Sequence, residues 1–172
     1  MLLGKVFKNI NKKYKNICFK DIKFNSKECK PNDIFFAIQG NNSNGNSYIN
    51  DAINNGAKII VSSLKLKRSN LKKVLFINCK NPRKMLSDIA SRFYRLKPKN
   101  IIAVTGTNGK TSIANFYHQI MSLNSKKVAS IGTLGVLSKK FNLETNNTTI
   151  DPVNIHKILQ RLKKLGVDNV MI

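Results

Sequence analysis

The sequence is short of acidic side chains, of arginine and of cysteine, and it has no long apolar run. Each shortage narrows the reading. Eight Asp and Glu face 31 Lys and Arg, which leaves a formal charge of +23 over 172 residues. A positive field of that size attracts polyanions, nucleotides included. It does not by itself make a nucleic-acid reader. The arginines that read base edges are only Arg68, Arg83, Arg92, Arg95 and Arg161. The lysines are spread along the whole chain among many asparagines, as a compositional bias toward Lys, Asn and Ile would leave them. The three cysteines, Cys18, Cys29 and Cys79, have no CxxC spacing. That excludes the usual zinc and disulfide frameworks and fits reduced thiols. No apolar segment reaches membrane-spanning length, and the opening MLLGKVFKNINKKYK has too short an apolar stretch for a signal peptide. A soluble, cytoplasmic protein is expected, with no membrane partner and no nucleic-acid partner.

What is present is an alternation of short apolar runs and helical stripes. Residues 33–38 (DIFFAI), 58–62 (KIIVS) and 74–77 (VLFI) read as strands. Between the first two lie a Gly/Asn/Ser loop at 40–47 and a helix carrying Ile49, Ala52 and Ile53, stopped at Gly56. Asn81-Pro82 is an N-cap followed by proline at the first helical position, and Met85, Leu86, Ile89, Ala90 and Phe93 form one face. The Leu96-to-Asn100 segment ends that helix and marks an expected boundary between domains at 1–98 and 99–172.

The second half opens with IIAVT (101–105), read as a buried strand, then GTNGKT. Next comes an amphipathic helix with Ile113, Phe116, Tyr117, Ile120 and Met121 on one face, where Phe116 and Tyr117 are expected in the core. KVASI (127–131) is a further strand. Asp151-Pro152 begins a helix with Ile155, Ile158, Leu159 and Leu162 aligned, and VDNVMI closes the sequence as another strand. The expected class is α/β with mostly parallel sheets. About three strands are visible after Lys99, where open α/β sheets have five or six, so a truncated chain is expected.

Gly106-Thr107-Asn108-Gly109-Lys110-Thr111 sits between a strand and a helix, the setting of a phosphate loop. Glycines let the backbone turn and aim N–H groups at phosphate oxygens, and the helix start adds partial positive charge. Lys110 can reach terminal phosphates, and the Thr111 hydroxyl can be a Mg²⁺ ligand. The spacing is GxxGKT; Val104 stands where the longer GxxxxGK[ST] pattern has its first glycine.

The run VTGTNGKTS (104–112) resembles the ATP loop of the Mur ligase family, and related folate-chain ligases have a similar loop. Residues 25–40 and 48–63 are similar to the uridine-nucleotide domain of the family, with Asn25-Ser26-Lys27 where Asp-Ser-Arg is usual. Asn147-Thr148-Thr149, before Asp151-Pro152, resembles the segment found in the members that add the third residue of the stem peptide, with Ile150 where proline is frequent. The Gly132–Gly135 turn also fits. The resemblance implies a small N-terminal α/β UDP-binding domain followed by the start of a P-loop, mostly parallel α/β ATPase domain. It implies ATP and Mg²⁺ as cofactors, a UDP-N-acetylmuramoyl dipeptide and an amino acid as substrates, and a monomer.

The same resemblance implies the roles of residues. Gly106, Thr107, Asn108, Gly109, Lys110, Thr111 and Ser112 would bind ATP, with Lys110 catalytic and Thr111 on the metal. Phe24, Ser26, Asn41, Asn42, Ser43, Asn147, Thr148 and Thr149 would hold the UDP-sugar. The implied reaction is amide formation through an acyl phosphate, and a chain ending at Ile172 is expected to have little or no activity alone. His118 and His156 are read as surface or packing residues. The competing readings are a non-catalytic nucleotide-binding remnant of a split or truncated ligase, another step of the same ligase family and, on charge alone, a basic nucleic-acid binder.

Overall fold

The structure is a computed structural model that describes residues 1–40, 43–64, 74–144 and 150–172. The chain forms two compact units, Met1–Phe93 and Tyr94–Ile172.

The first unit is built on four parallel strands in the order β1-β2-β3-β4: β1 Ile22–Lys23, β2 Ile34–Phe36, β3 Ile59–Ser62 and β4 Leu75–Asn78. Residues of β2 and β3 are buried on both faces, which is why they read as unbroken apolar runs rather than alternating ones. Successive side chains point to opposite faces. Phe35 and Ile60 enter one cluster with Cys29, Ala37, Ala57 and the helix α1 (Ile49–Asn54), through Ile49 and Ala52. The helix α2 (Pro82–Phe93) lies against β2 and buries Leu86, Ile89 and Ala90. Its start is capped as expected: Lys84 N–H donates to Asn81 Oδ1 at 2.9 Å. Gly56 ends α1 with φ +100. The two-residue strand β1 was not foreseen, because Ile22–Lys23 is too short to show a strand pattern of its own. It pairs in register with Ile34 and is 1% exposed. Phe19 stacks on Phe93 with ring centroids 5.4 Å apart, and Arg92 Nη1 donates to the Val6 carbonyl at 2.5 Å.

The second unit has four strands in the order β5-β8-β6-β7: β5 Asn100–Ile102, β6 Val128–Gly132, β7 Gly135–Ser138 and β8 Asn169–Met171. Among the described strands of this sheet, only the β6–β7 pair is antiparallel. Helix α3 (Lys110–Leu123) packs on β6 and β8. The helix α4 (Pro152–Lys164) buries Ile158, Leu159 and Leu162 against Ala129, Ile131, Val136 and Val170. Asp151 caps α4, accepting from the N–H groups of Val153 at 3.0 Å and Asn154 at 2.9 Å.

Three expectations for this half are corrected. The sheet has four strands here, not three; β7 was missed because it joins β6 through a two-residue turn within one apolar stretch. The IIAVT strand is short and not buried: Ile101 and Ile102 are 40% and 41% exposed, because β5 is an edge strand with β8 as its partner. The α3 helix forms where its periodicity places it, yet its stripe is not a core: Ile113, Phe116 and Ile120 are 50%, 61% and 59% exposed, and no residue of α3 is buried. Periodicity reports that a face is apolar, not that anything covers it.

Candidate functional site

The phosphate loop leaves β5 and enters α3. Its base is pinned to β8: Val104 N–H donates to the Ile172 carbonyl and Ile172 N–H to the Ile102 carbonyl, both at 2.8 Å. Gly109 stands at the N-cap of α3 with φ +80, a left-handed conformation that glycine adopts without a Cβ penalty. Among the described residues, no backbone bond outside a helix or strand is donated by residues 106–109. Their N–H groups, with those of the first turn of α3, therefore remain for an anion. Lys110 Nζ curls over the loop and donates to the carbonyl oxygens of Gly106 and Thr107, the latter at 3.2 Å. A cation is thus held on the loop by two of its carbonyl oxygens.

Beside the loop lies a cavity of about 300 Å³. Lys110 and Thr111 line it from one side and Ser130, Gly132, Thr133 and Leu134 from the other, with Ile150, Ile155 and Ile172 contributing apolar wall. Gly135, at φ +83, closes the β6–β7 turn so tightly that a Cβ there would sit 2.1 Å from the Leu143 carbonyl oxygen. Sequence reasoning had reached the Gly132–Gly135 turn but not Ser130 or the isoleucines. Their signal was only that β6 leads into a Gly-x-x-Gly turn.

The remaining candidates are in the first unit or outside the description. Ser26 is 6% exposed at the start of a 3-10 turn that is capped by Asn25, whose side chain accepts from Lys27 N–H at 3.1 Å. Phe24 is 40% exposed. The Ser43 carbonyl accepts from Gly40 N–H at 2.8 Å. Asn41, Asn42, Asn147, Thr148 and Thr149 lie outside the described residues.

Comparison with known proteins gives the family. Residues 19–94 match the catalytic domain of the Mur ligase family, and residues 104–172 match the Mur ligase middle domain. The chain belongs to the Mur ligase family. Two curated relatives are each named UDP-N-acetylmuramoyl-L-alanyl-D-glutamate--2,6-diaminopimelate ligase. The one from Rickettsia prowazekii is 38% identical over 164 residues, which is 93% of this chain and 34% of the relative. The one from Rhizobium meliloti is 39% identical over 142 residues, 83% of this chain and 29% of the relative. This Mur ligase chain therefore spans about a third of the length of the curated relatives it matches. Among solved structures, a ligase of the same name superposes with a TM-score of 0.77 at 24% identity, over 95% of this chain and 34% of that one. The MurF ligase from Thermotoga maritima, solved in complex with ADP, gives a TM-score of 0.57 at 20% identity, over 88% of this chain and 31% of that one. These structural likenesses establish the mixed α/β fold with parallel sheets.

The described residues contain no group of three or more His, Cys, Asp or Glu able to hold a metal, and no helix long and apolar enough to cross a membrane. The exposed Thr111 hydroxyl, opening the first turn of α3, fits a Mg²⁺ held chiefly by phosphate oxygens and water, the usual mode for nucleotide-bound magnesium.

Proposed function

We propose that this chain carries the sugar-nucleotide-binding and ATP-binding parts of a ligase of peptidoglycan precursor synthesis. The reaction is addition of the third amino acid to UDP-N-acetylmuramoyl-L-Ala-D-Glu. One observation supports the reading above the others: Lys110 and Thr111 of a strand–loop–helix phosphate site line the same cavity as the β6–β7 turn. A carboxylate brought into that cavity would lie beside the terminal phosphate of a nucleotide on the loop.

The chemistry concentrates negative charge. A substrate carboxylate oxygen attacks the γ-phosphorus and ADP leaves; the amine of the incoming amino acid then attacks the acyl carbon and phosphate leaves. Neither step asks this chain for a nucleophile. Its part is to fix donors where charge builds. The amides of Gly106, Thr107, Asn108 and Gly109, with those of Lys110, Thr111 and Ser112, cradle the phosphates. Lys110 exchanges its loop carbonyls for phosphate oxygens, and Thr111 supplies one oxygen toward Mg²⁺, which when bound neutralises the phosphate charge. Residues 1–98, through Phe24, Ser26, Asn41, Asn42 and Ser43, take the uridine end; Asn147, Thr148 and Thr149 take the muramoyl or pyrophosphate portion. The enzyme works as a monomer in the cytoplasm on this reading.

Calorimetric titration with Mg-ATP and, separately, with UDP-muramoyl dipeptide tests it. Wild type binds both. Lys110→Ala loses Mg-ATP affinity by about tenfold or more, as expected for losing a charge-assisted contact, and keeps the sugar nucleotide. Failure of wild type to bind either ligand would overturn the assignments.

A further inference from the structure

Helix α3 has a second cavity at its far end. From Lys110 the helix runs 14 residues, about 20 Å at 1.5 Å per residue, so its C-terminal end is well separated from the phosphate loop. The cavity, about 820 Å³, lies between that end and the β6–β7 hairpin. That volume is within the range of small-molecule sites. Four lysines line it: Lys126 and Lys127 from the α3–β6 connection, and Lys139 and Lys140 from the end of β7. No carboxylate is among its described lining residues, and none of the four lysines is in an ion pair with a described residue. Asp168, next to the lining residue Val167, is held by Lys163 instead. Neutral donors are interleaved: Ser122, Ser125 and Asn142 also line the wall, whereas the Ser138 hydroxyl there already donates to the Phe141 carbonyl at 2.8 Å.

His118 completes the lining, and its Nε2 is closed off from solvent without a hydrogen-bond partner. Water does not reach that nitrogen, so it is no ligand contact; the imidazole serves as wall that a ligand would border. The C-terminal end of α3 opposes an anion with about half an elementary negative charge. That end is already answered in part, since Asn124, Ser125 and Lys126 donate their N–H groups to carbonyls of its last turn. Four ammonium groups outweigh what remains.

We propose that this cavity is a second anion site, separate from the phosphate loop, which takes a small phosphate compound between diphosphate and nucleotide in size. It stands independently of the ligase reading, because none of its residues belongs to the ATP loop.

Inorganic pyrophosphate is the probe, titrated calorimetrically into the Lys110→Ala chain so that the loop is weakened. The histidine side chains are followed by NMR in the same samples. Pyrophosphate binds this variant and shifts the His118 imidazole signals. A further Lys139→Ala/Lys140→Ala pair, on exposed hairpin positions where folding is not at stake, weakens binding about tenfold or more. A control pair of exposed lysines in the first unit, Lys8→Ala/Lys12→Ala, leaves it unchanged. Absence of binding to the Lys110→Ala chain overturns the proposal. So does an equal loss in the control pair, which would mean that the anion answers only to the overall charge.

Discussion

Three glycines of the second unit separate backbone conformation from steric room, and alanine at each gives a graded series. At Gly132, φ is not left-handed and a Cβ would meet nothing within 4 Å. Alanine there restricts the unfolded chain and is expected to be neutral or to stabilise by about 0.4–1 kcal/mol. At Gly109, φ is +80 and the space is again empty. The cost is conformational alone, roughly 1–2 kcal/mol for an alanine held left-handed. At Gly135, φ is +83 and the Cβ would sit 2.1 Å from the Leu143 oxygen. That oxygen accepts from Val136 N–H at 2.7 Å, in a bridge completed by Leu143 N–H to the Val136 carbonyl at 3.0 Å. The bridge must move, so an overpacking cost of about 1–3 kcal/mol adds to the conformational one, for roughly 2–5 kcal/mol in all. Urea unfolding of the three variants reads the order directly, and thermal melts should spread by about 4–8 °C per kcal/mol for a unit this small. Equal losses for Gly109→Ala and Gly135→Ala would refute the separation of strain from clash, as would a costly Gly132→Ala.

Asp151→Ala removes a cap that accepts from two N–H groups of α4 and should cost about 0.5–2 kcal/mol, read by the same urea midpoint, with Asn nearly neutral. Burial, then the Lys97 charge, holds His156 below its ordinary value of 6.5. A base depressed in the folded state gives stability that is complete above the unfolded value and lost as pH falls through the lower folded value. Urea stability should therefore drop on going below about pH 6.5, and His156→Gln should flatten that part of the profile. Burial pushes the Cys29 thiol up to about 11, so at pH 8 only about one part in a thousand is thiolate. Iodoacetamide followed by mass spectrometry should mark exposed Cys18 well before buried Cys29.

Much of this was legible in the sequence because local signals and tertiary structure agree. The runs around Phe35 and Ile60 are apolar on every residue because both faces of their sheet are covered. Asn81-Pro82 and Asp151-Pro152 announce helices, and both side chains do cap them. Residues 106–111 are recognisable because a strand, a glycine turn and a helix must follow in that order to present amides to phosphate. The rest depends on relations that a linear pattern does not carry. Ile22 becomes a strand only because Ile34 lies beside it. The β6–β7 hairpin hides in one apolar stretch whose only marks are Gly132 and Gly135, a turn read without the strand that follows it. The wall of the cavity beside Lys110 is assembled from β6, α4 and Ile172, segments far apart along the chain. Phe116 has the spacing of a core residue and the exposure of a surface one, because no described element lies over that side of α3.

That bare stripe sets how the molecule behaves as a solute. Its charge of +23 keeps copies apart by mutual repulsion, while Ile113, Phe116, Ile120 and Leu123 on α3 offer a sticky strip to any copy that comes close enough. Dilute buffer lets the repulsion act over tens of ångströms, whereas molar salt shrinks it to about 3 Å and strengthens apolar contact when the anion is sulfate. Ammonium sulfate should therefore salt this chain out early for its size, and a purification that keeps the ionic strength low will keep it dispersed.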